Sequence, residues 1–157
     1  MSDAPPPPVA IGSLLAGKYR IDRVLGQGGM GIVVAATHLH LDQRVAIKFL
    51  LGQAAQNAEA VMRFTREARA ATKILSEHVV RVSDVGTLED GAPYMVMEYL
   101  DGRDLSQLLE QRGPLPVGEA LDYVLQACVS LAEALVAGIV HRYLLPANLY
   151  LTLRADV

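Results

Sequence analysis

Leu25-Gly26-Gln27-Gly28-Gly29-Met30-Gly31-Ile32-Val33 is a glycine-rich turn between two strand-like runs, Tyr19 to Leu25 before it and Ile32 to Thr37 after it. Glycine at positions 26, 28 and 31 keeps side chains off the backbone and tolerates the positive φ of a tight turn, so that backbone amides are able to face an anion. A plain β-hairpin turn uses the same residues for steric reasons alone, and the spacing by itself leaves both readings open. A dinucleotide-binding fold needs a helix directly after the glycines. Here Ile32-Val33-Val34 is β-branched and runs on into Ala35-Ala36-Thr37, so the stretch reads as strand, turn, strand.

On the N-terminal side, Met1 to Ala10 holds Pro5-Pro6-Pro7-Pro8, a short extended, solvated lead-in, with a proline-groove ligand as the alternative. Residues 1–17 are expected to form a flexible tail. On the other side, Leu41-Asp42-Gln43-Arg44 turns the chain into Val45-Ala46-Ile47-Lys48-Phe49-Leu50. A lysine in such an apolar run either snorkels to solvent at a sheet edge or meets an anion within reach. Asn57 to Leu75 is helical by period, since Val61, Phe64, Ala68, Ala71 and Leu75 recur at three- and four-residue steps. Glu67 is carried on the edge of that face, whereas Glu59, Arg63, Arg66 and Lys73 form a solvated one. Two more strands, Arg81 to Thr87 and Pro93 to Tyr99, are joined through Asp90-Gly91, a strong hairpin signal. After Asp101-Gly102 the pattern turns helical. Asp104 caps a short helix to Gln111, and Val117 to Ala137 forms a long one with Leu121, Val124, Leu125, Cys128, Leu131, Leu135 and Val136 on a wide apolar face.

The 157 residues suffice for one domain burying about 70% of its unfolded surface, or for part of a larger one. With 52% apolar and 20% charged residues the chain is expected to fold, and a net charge of -3 provides no electrostatic case for nucleic acid or an anionic membrane. Cys128 is the single cysteine, which excludes an internal disulfide and a thiolate zinc site, and its helical setting predicts core packing. No stretch approaches the about 20 apolar residues of a spanning helix and the N-terminus lacks a signal-peptide pattern, so a cytoplasmic location is expected.

These parts in this order resemble the N-terminal portion of a protein kinase, most like the bacterial serine/threonine type, over roughly residues 18–153. The resemblance rests on the glycine loop followed by Val33, on Val45-Ala46-Ile47-Lys48 as the third-strand signature, on Glu67 in the next helix, on Met97-Glu98-Tyr99-Leu100 as hinge, and on His141-Arg142 with Asn148 as the ends of a catalytic loop. It implies an α+β fold, with a five-stranded antiparallel sheet and one helix over 18–100, then a truncated, mostly helical lobe over 101–157. It also implies ATP as ligand, held by Leu25, Gly26, Gly28, Gly31, Val33 and Ala46. Lys48 would meet the α- and β-phosphates with Glu67 as its partner. Purine would lie between Leu25, Val33 and Ala46 on one side and Tyr150 on the other, read by the backbone of Glu98 and Leu100. Met97 would be the gatekeeper or simply core filler, and Asp104 a ribose ligand or simply a helix cap.

The pattern also breaks. The family's loop reads His-Arg-Asp-Leu-Lys-Pro-x-x-Asn, and this chain has His141-Arg142-Tyr143-Leu144-Leu145-Pro146-Ala147-Asn148, so Tyr143 stands in the place of the base aspartate. A phenol, with its usual pKa near 10, does not accept a hydroxyl proton at neutral pH as a carboxylate does. Loss of a positioned general base costs about 10² to 10⁴ in rate, or about 3 to 5 kcal/mol of barrier. Leu145 replaces a lysine beside the transferring phosphoryl group, removing a positive charge as well. The chain finishes at Arg154-Ala155-Asp156-Val157 before the family's Asp-Phe-Gly magnesium ligand, and Asp156 is not followed by Phe-Gly. For magnesium this leaves Asn148, one amide oxygen and an incomplete site. The expectation is an ATP-binding, pseudokinase-like fragment with impaired catalysis. A working kinase completed by another chain and a non-catalytic interaction module are the alternatives. The apolar face of helix 117–137 is expected to be partly bare, which predicts a protein partner, self-association or instability.

Overall fold

A computed structural model describes residues 8–28 and 31–152. The chain divides into two compact units, residues 1–72 with 80–99, and residues 73–79 with 100–157. The first unit is a six-stranded sheet, all neighbours antiparallel, in the order β1-β2-β3-β4-β6-β5. Its strands are β1 (Leu14–Leu15), β2 (Tyr19–Gly28), β3 (Gly31–His38), β4 (Gln43–Leu50), β5 (Val82–Thr87) and β6 (Pro93–Glu98). The helices α1 (Gly52–Gln56) and α2 (Ala58–Ala71) follow β4.

The sixth strand is β1, inside the stretch expected to be a tail. Leu15 is buried, Val9 packs on the same core, and the Gly12 amide donates to the Ile21 carbonyl at 2.7 Å. Leu15 and Val9 remove apolar surface from water against the sheet, a contribution that the prolines ahead of them conceal, whereas Leu14 faces outward. Pro5, Pro6 and Pro7 lie outside the described residues.

Alternation in the strands sorts side chains onto two faces. Ile32, Val34 and Ala36 of β3, Val45, Ile47 and Phe49 of β4, and Tyr94 and Val96 of β6 form one buried cluster with Leu15, Tyr19 and Ile21. The residues between them belong to the opposite face, where Phe64 and Ala68 of α2 pack against Leu50 and Met95. The sheet is curled, so that groups at β2 reach the far edge strand. Lys18 Nζ lies 3.1 Å from Asp84 Oδ2 of β5, and the Tyr19 hydroxyl donates to the same oxygen at 3.3 Å. The hydrogen bond to Asp84 raises the Lys18 pKa above its ordinary value, and burial followed by the Asp84 charge raises that of Tyr19. Gly86 permits the neighbouring cross-strand contact, since a Cβ there would sit 2.3 Å from the Tyr94 ring.

The α2 helix stops at Ala71, earlier than its period suggests, and Leu75 beyond it is 88% exposed. Asn57 caps its start, with Oδ1 accepting from the amides of Glu59 and Ala60, while the Thr72 hydroxyl turns back to donate to the Arg69 carbonyl at its end. Residues 73–79 group with the second unit, although the sequence reading keeps them in the first segment.

The second unit carries β7 (Gly102–Asp104) paired with β8 (Tyr150–Thr152), helices α3 (Leu105–Arg112) and α4 (Val117–Val136), and a 3-10 turn over Pro146–Asn148. Bidentate hydrogen bonds from Arg112 to Glu119, at 2.7 and 2.9 Å, tie α3 to α4. The buried residues of α4 are Ser130 and Ala134, and Cys128 is exposed, not packed in a core as expected. The stripe that packs is small, while Leu121, Val124, Leu125 and Leu135 face outward. Among the described residues no helix is long and apolar enough to cross a membrane.

Candidate functional site

The glycine stretch forms the hairpin end of β2 and β3, with Gly26 opposite Val33 and Gly28 opposite Gly31. Gly29 and Met30 lie outside the described residues. The three site glycines are there for different reasons from those the turn suggests, because none of Gly26, Gly28 and Gly31 has a positive φ. A Cβ on Gly31 would meet the Phe49 carbonyl oxygen at 2.4 Å, so this glycine lets β3 close on β4. A Cβ on Gly26 or Gly28 would meet nothing within 4 Å. Neither packing nor backbone conformation demands glycine at those two positions, and their removal of side chains leaves open backbone.

Register places one row of residues across the sheet from Gly26. Gly26 is opposite Val33, Val33 opposite Lys48, and Lys48 opposite Met95. Paired residues share a face, so Lys48 emerges on the side occupied by α2, two strands or about 10 Å from Gly26. Ala46 and Met97 form another row on that face. Lys48 Nζ lies 3.9 Å from Glu67 Oε2, with the two side chains 37% and 57% exposed. It also stands 5.9 Å from the centre of the Phe64 ring. An ion pair this exposed contributes about 0 to 1 kcal/mol, so stability alone does not account for a cation between Ile47 and Phe49. The side chain runs to Glu67 and not simply to solvent.

At the end of β6, Met97 packs against the α2-side cluster, in keeping with core filling. Glu98 is braced by Arg81, a residue the sequence reading leaves unused. The Glu98 amide donates to the Arg81 carbonyl at 2.9 Å, and the Arg81 amide donates to Glu98 Oε1 at 2.8 Å. Leu25, on β2, is partly exposed.

In the second unit, Asp104 caps α3, its Oδ1 accepting from the Gln107 amide at 2.9 Å. It is also opposite Tyr150 in the β7–β8 pair, which brings those two site residues side by side. Gly102 makes that pairing possible, since a Cβ there would sit 2.0 Å from the Leu151 carbonyl oxygen. Leu100 is half-buried just before β7. The loop from His141 is strained at Arg142, a non-glycine residue with φ of 63°. Next to it Tyr143 is exposed, and its carbonyl accepts a hydrogen bond from Asn148 Nδ2 at 2.8 Å. That bond ties the two ends of the loop together and leaves the Asn148 amide oxygen as the remaining acceptor. No signal in the residue types indicates this cross-loop tie, because it depends on the turn at Arg142.

For magnesium the fit is poor. Among the described residues no group of three or more His, Cys, Asp or Glu side chains comes together to hold a metal ion, and one amide oxygen does not meet that ion's need for carboxylate and phosphate oxygens. Asp156 lies outside the described residues.

The family model described as "Protein kinase domain" matches residues 19–157. Serine/threonine-protein kinase pkn3 of Myxococcus xanthus is 40% identical over 139 residues, covering 88% of this chain and 25% of the relative. Serine/threonine-protein kinase PrkC of Bacillus subtilis is likewise 40% identical over 139 residues, covering 88% of this chain and 21% of its own length. The chain therefore spans about a quarter of the length of these curated relatives. Among solved structures, the kinase domain of PknI from Mycobacterium tuberculosis superposes with a TM-score of 0.79 at 36% identity, covering 92% of this chain and 59% of that one.

Proposed function

The chain belongs to the protein kinase family, and from that premise we propose that it binds ATP through its first unit while Tyr143 leaves phosphoryl transfer impaired. The observation that carries the binding half is the row Gly26–Val33–Lys48 with Glu67 at 3.9 Å from the lysine. A phosphate over the open backbone at Gly26 and Gly28 lies within reach of a lysine ammonium, and the glutamate holds that ammonium in position. In this reading Lys48, Glu67 and the glycines hold the triphosphate, and Val33, Ala46, Leu25 and Met97 line the purine. The ATP chemistry is a transfer of the terminal phosphoryl group to a hydroxyl, and Tyr143 is a poor base for that hydroxyl's proton.

Thermal melts with and without ATP and magnesium test the binding half. A ligand-dependent rise in melting temperature that Lys48→Met abolishes is expected, and no rise in the unaltered chain would remove the claim. Incubation with labelled ATP and a generic protein substrate tests the other half. Incorporation that depends on Lys48 would overturn the impairment and favour a working kinase. A second reading, a protein-interaction module, is favoured by the outward Leu121, Leu125 and Val136 of α4. Light scattering separates the two, since a clean monomer with a sharp melt argues against an interface there.

A further inference from the structure

Tyr99, the residue after Glu98, meets two arginines that have no part in the candidate site. Arg23 Nη2 donates to the Tyr99 hydroxyl at 2.9 Å, and the Arg44 guanidinium lies 4.5 Å from the centre of the Tyr99 ring. Register explains how residues from β2, β4 and the end of β6 meet. Arg23 is opposite Ala35, Ala35 opposite Ala46, and Ala46 opposite Met97, so all four share the face that carries Lys48. Arg44 lies two residues before Ala46 and Tyr99 two after Met97, which by alternation puts both on that face as well. Only two alanines stand between Arg23 and the β6 row, so no bulky side chain blocks an arginine reaching across β3 and β4.

The β2 ladder is irregular on both sides of Arg23, with register shifts between Ile21 and Arg23 and between Val24 and Gly26. Backbone pairing thus holds β2 least regularly where it leads into the glycine stretch. A side-chain tie at Arg23 compensates at that point. The phenol serves both cations through different parts, its oxygen accepting from Arg23 and its ring face meeting Arg44.

We propose that Arg23, Tyr99 and Arg44 form a latch that fixes the spacing between the glycine-bearing strand and the hinge, making Tyr99 a positioning residue for the purine. The purine role rests on the ATP-binding reading above, whereas the latch itself does not. Tyr99→Phe removes the hydroxyl and keeps the ring for Arg44, and Arg23→Gln removes the charged donor.

The latch is tested on the full chain without nucleotide by backbone hydrogen exchange. Either variant is expected to raise exchange in residues 20–28 and to leave β5 unchanged. Unchanged exchange in residues 20–28, or a rise shared equally by β5, would overturn the latch. The positioning role is tested by titration with ATP. Each single variant is expected to weaken binding by about 3- to 10-fold, the double variant by no more than one single, and Arg23→Lys to recover most of the loss. Additive losses, or unaltered affinity in Tyr99→Phe, would overturn it. Should the unaltered chain bind no ATP, the site reading falls and the positioning role with it. Raised exchange in Tyr99→Phe would then still establish the latch as a clasp within the sheet.

Discussion

Ile47 and Phe49 in the first unit are fully buried at 0% exposure, whereas Leu121 and Leu125 in the second are 54% and 61% exposed, although both pairs belong to strongly apolar runs. The β4 strand sits between β3 and β6, with Val45, Ile47 and Phe49 sealed in the large cluster on one face and Leu50 packed in the α2 cluster on the other, where Lys48 stays partly exposed. The α4 helix buries only Ser130 and Ala134. Both core clusters of the described residues lie in the first unit. Apolar composition therefore does not measure burial, which depends on what the chain supplies to cover each face. The same contrast runs through the candidate site. In the first unit a buried sheet sets the spacing of Gly26, Val33 and Lys48, while in the second the positions of Tyr143 and Asn148 rest on a strained turn, the cross-loop hydrogen bond and a short 3-10 turn in which the Asn148 amide donates to the Leu145 carbonyl.

The largest effect is expected from Phe49→Ala, which should lower unfolding free energy by about 3 to 5 kcal/mol in chemical denaturation. A loss below about 1 kcal/mol would break the claim that the sheet holds the stability. Next, Gly31→Ala drives a methyl into the Phe49 carbonyl and should cost about 1 to 3 kcal/mol, with Gly28→Ala leaving the melt unchanged and weakening only nucleotide binding. Equal losses in the two would erase the distinction between a packing glycine and a ligand glycine.

Acid unfolding sharpens the comparison in the second unit. Hydrogen bonds from Arg112, then Tyr123, hold the Glu119 carboxyl below its ordinary value of 4.5. Its folded value is depressed, so its stabilisation is present above the unfolded carboxylate range and is lost as pH falls through the folded one. Glu119→Gln is expected to flatten the stability profile below pH 4.5, and an unaltered acid limb would show that the link between α3 and α4 contributes nothing. Smallest of all, Leu121→Ser should change stability by less than about 0.5 kcal/mol. A larger loss would mean that this face of α4 is covered in solution.

Much of the first unit is legible in the residues because sheet alternation is local. Val45 to Leu50 declares its two faces by period, and Asp90-Gly91 declares its hairpin, where the Asp90 carboxylate accepts from the Ala92 amide at 3.0 Å. The pairing of Lys48 with Glu67 requires the resemblance, since nothing in either segment alone indicates that strand and helix meet. The β1 strand escapes notice because two residues show no period. The packed stripe of α4 is misjudged because helical periodicity reports which residues share a face and not which face is covered.

Residue identity and spacing alone carry the kinase family membership, the order of the five longer strands β2 to β6 and of helices α2, α3 and α4, and the departure at Tyr143. Tertiary contacts are needed to tell why Gly31 differs from Gly26, that Cys128, Leu121, Leu125 and Leu135 of α4 face outward, and that Arg23 and Arg44 converge on Tyr99. The physical reason is that packing distances and cross-strand register join residues tens of positions apart, and no local pattern carries that information.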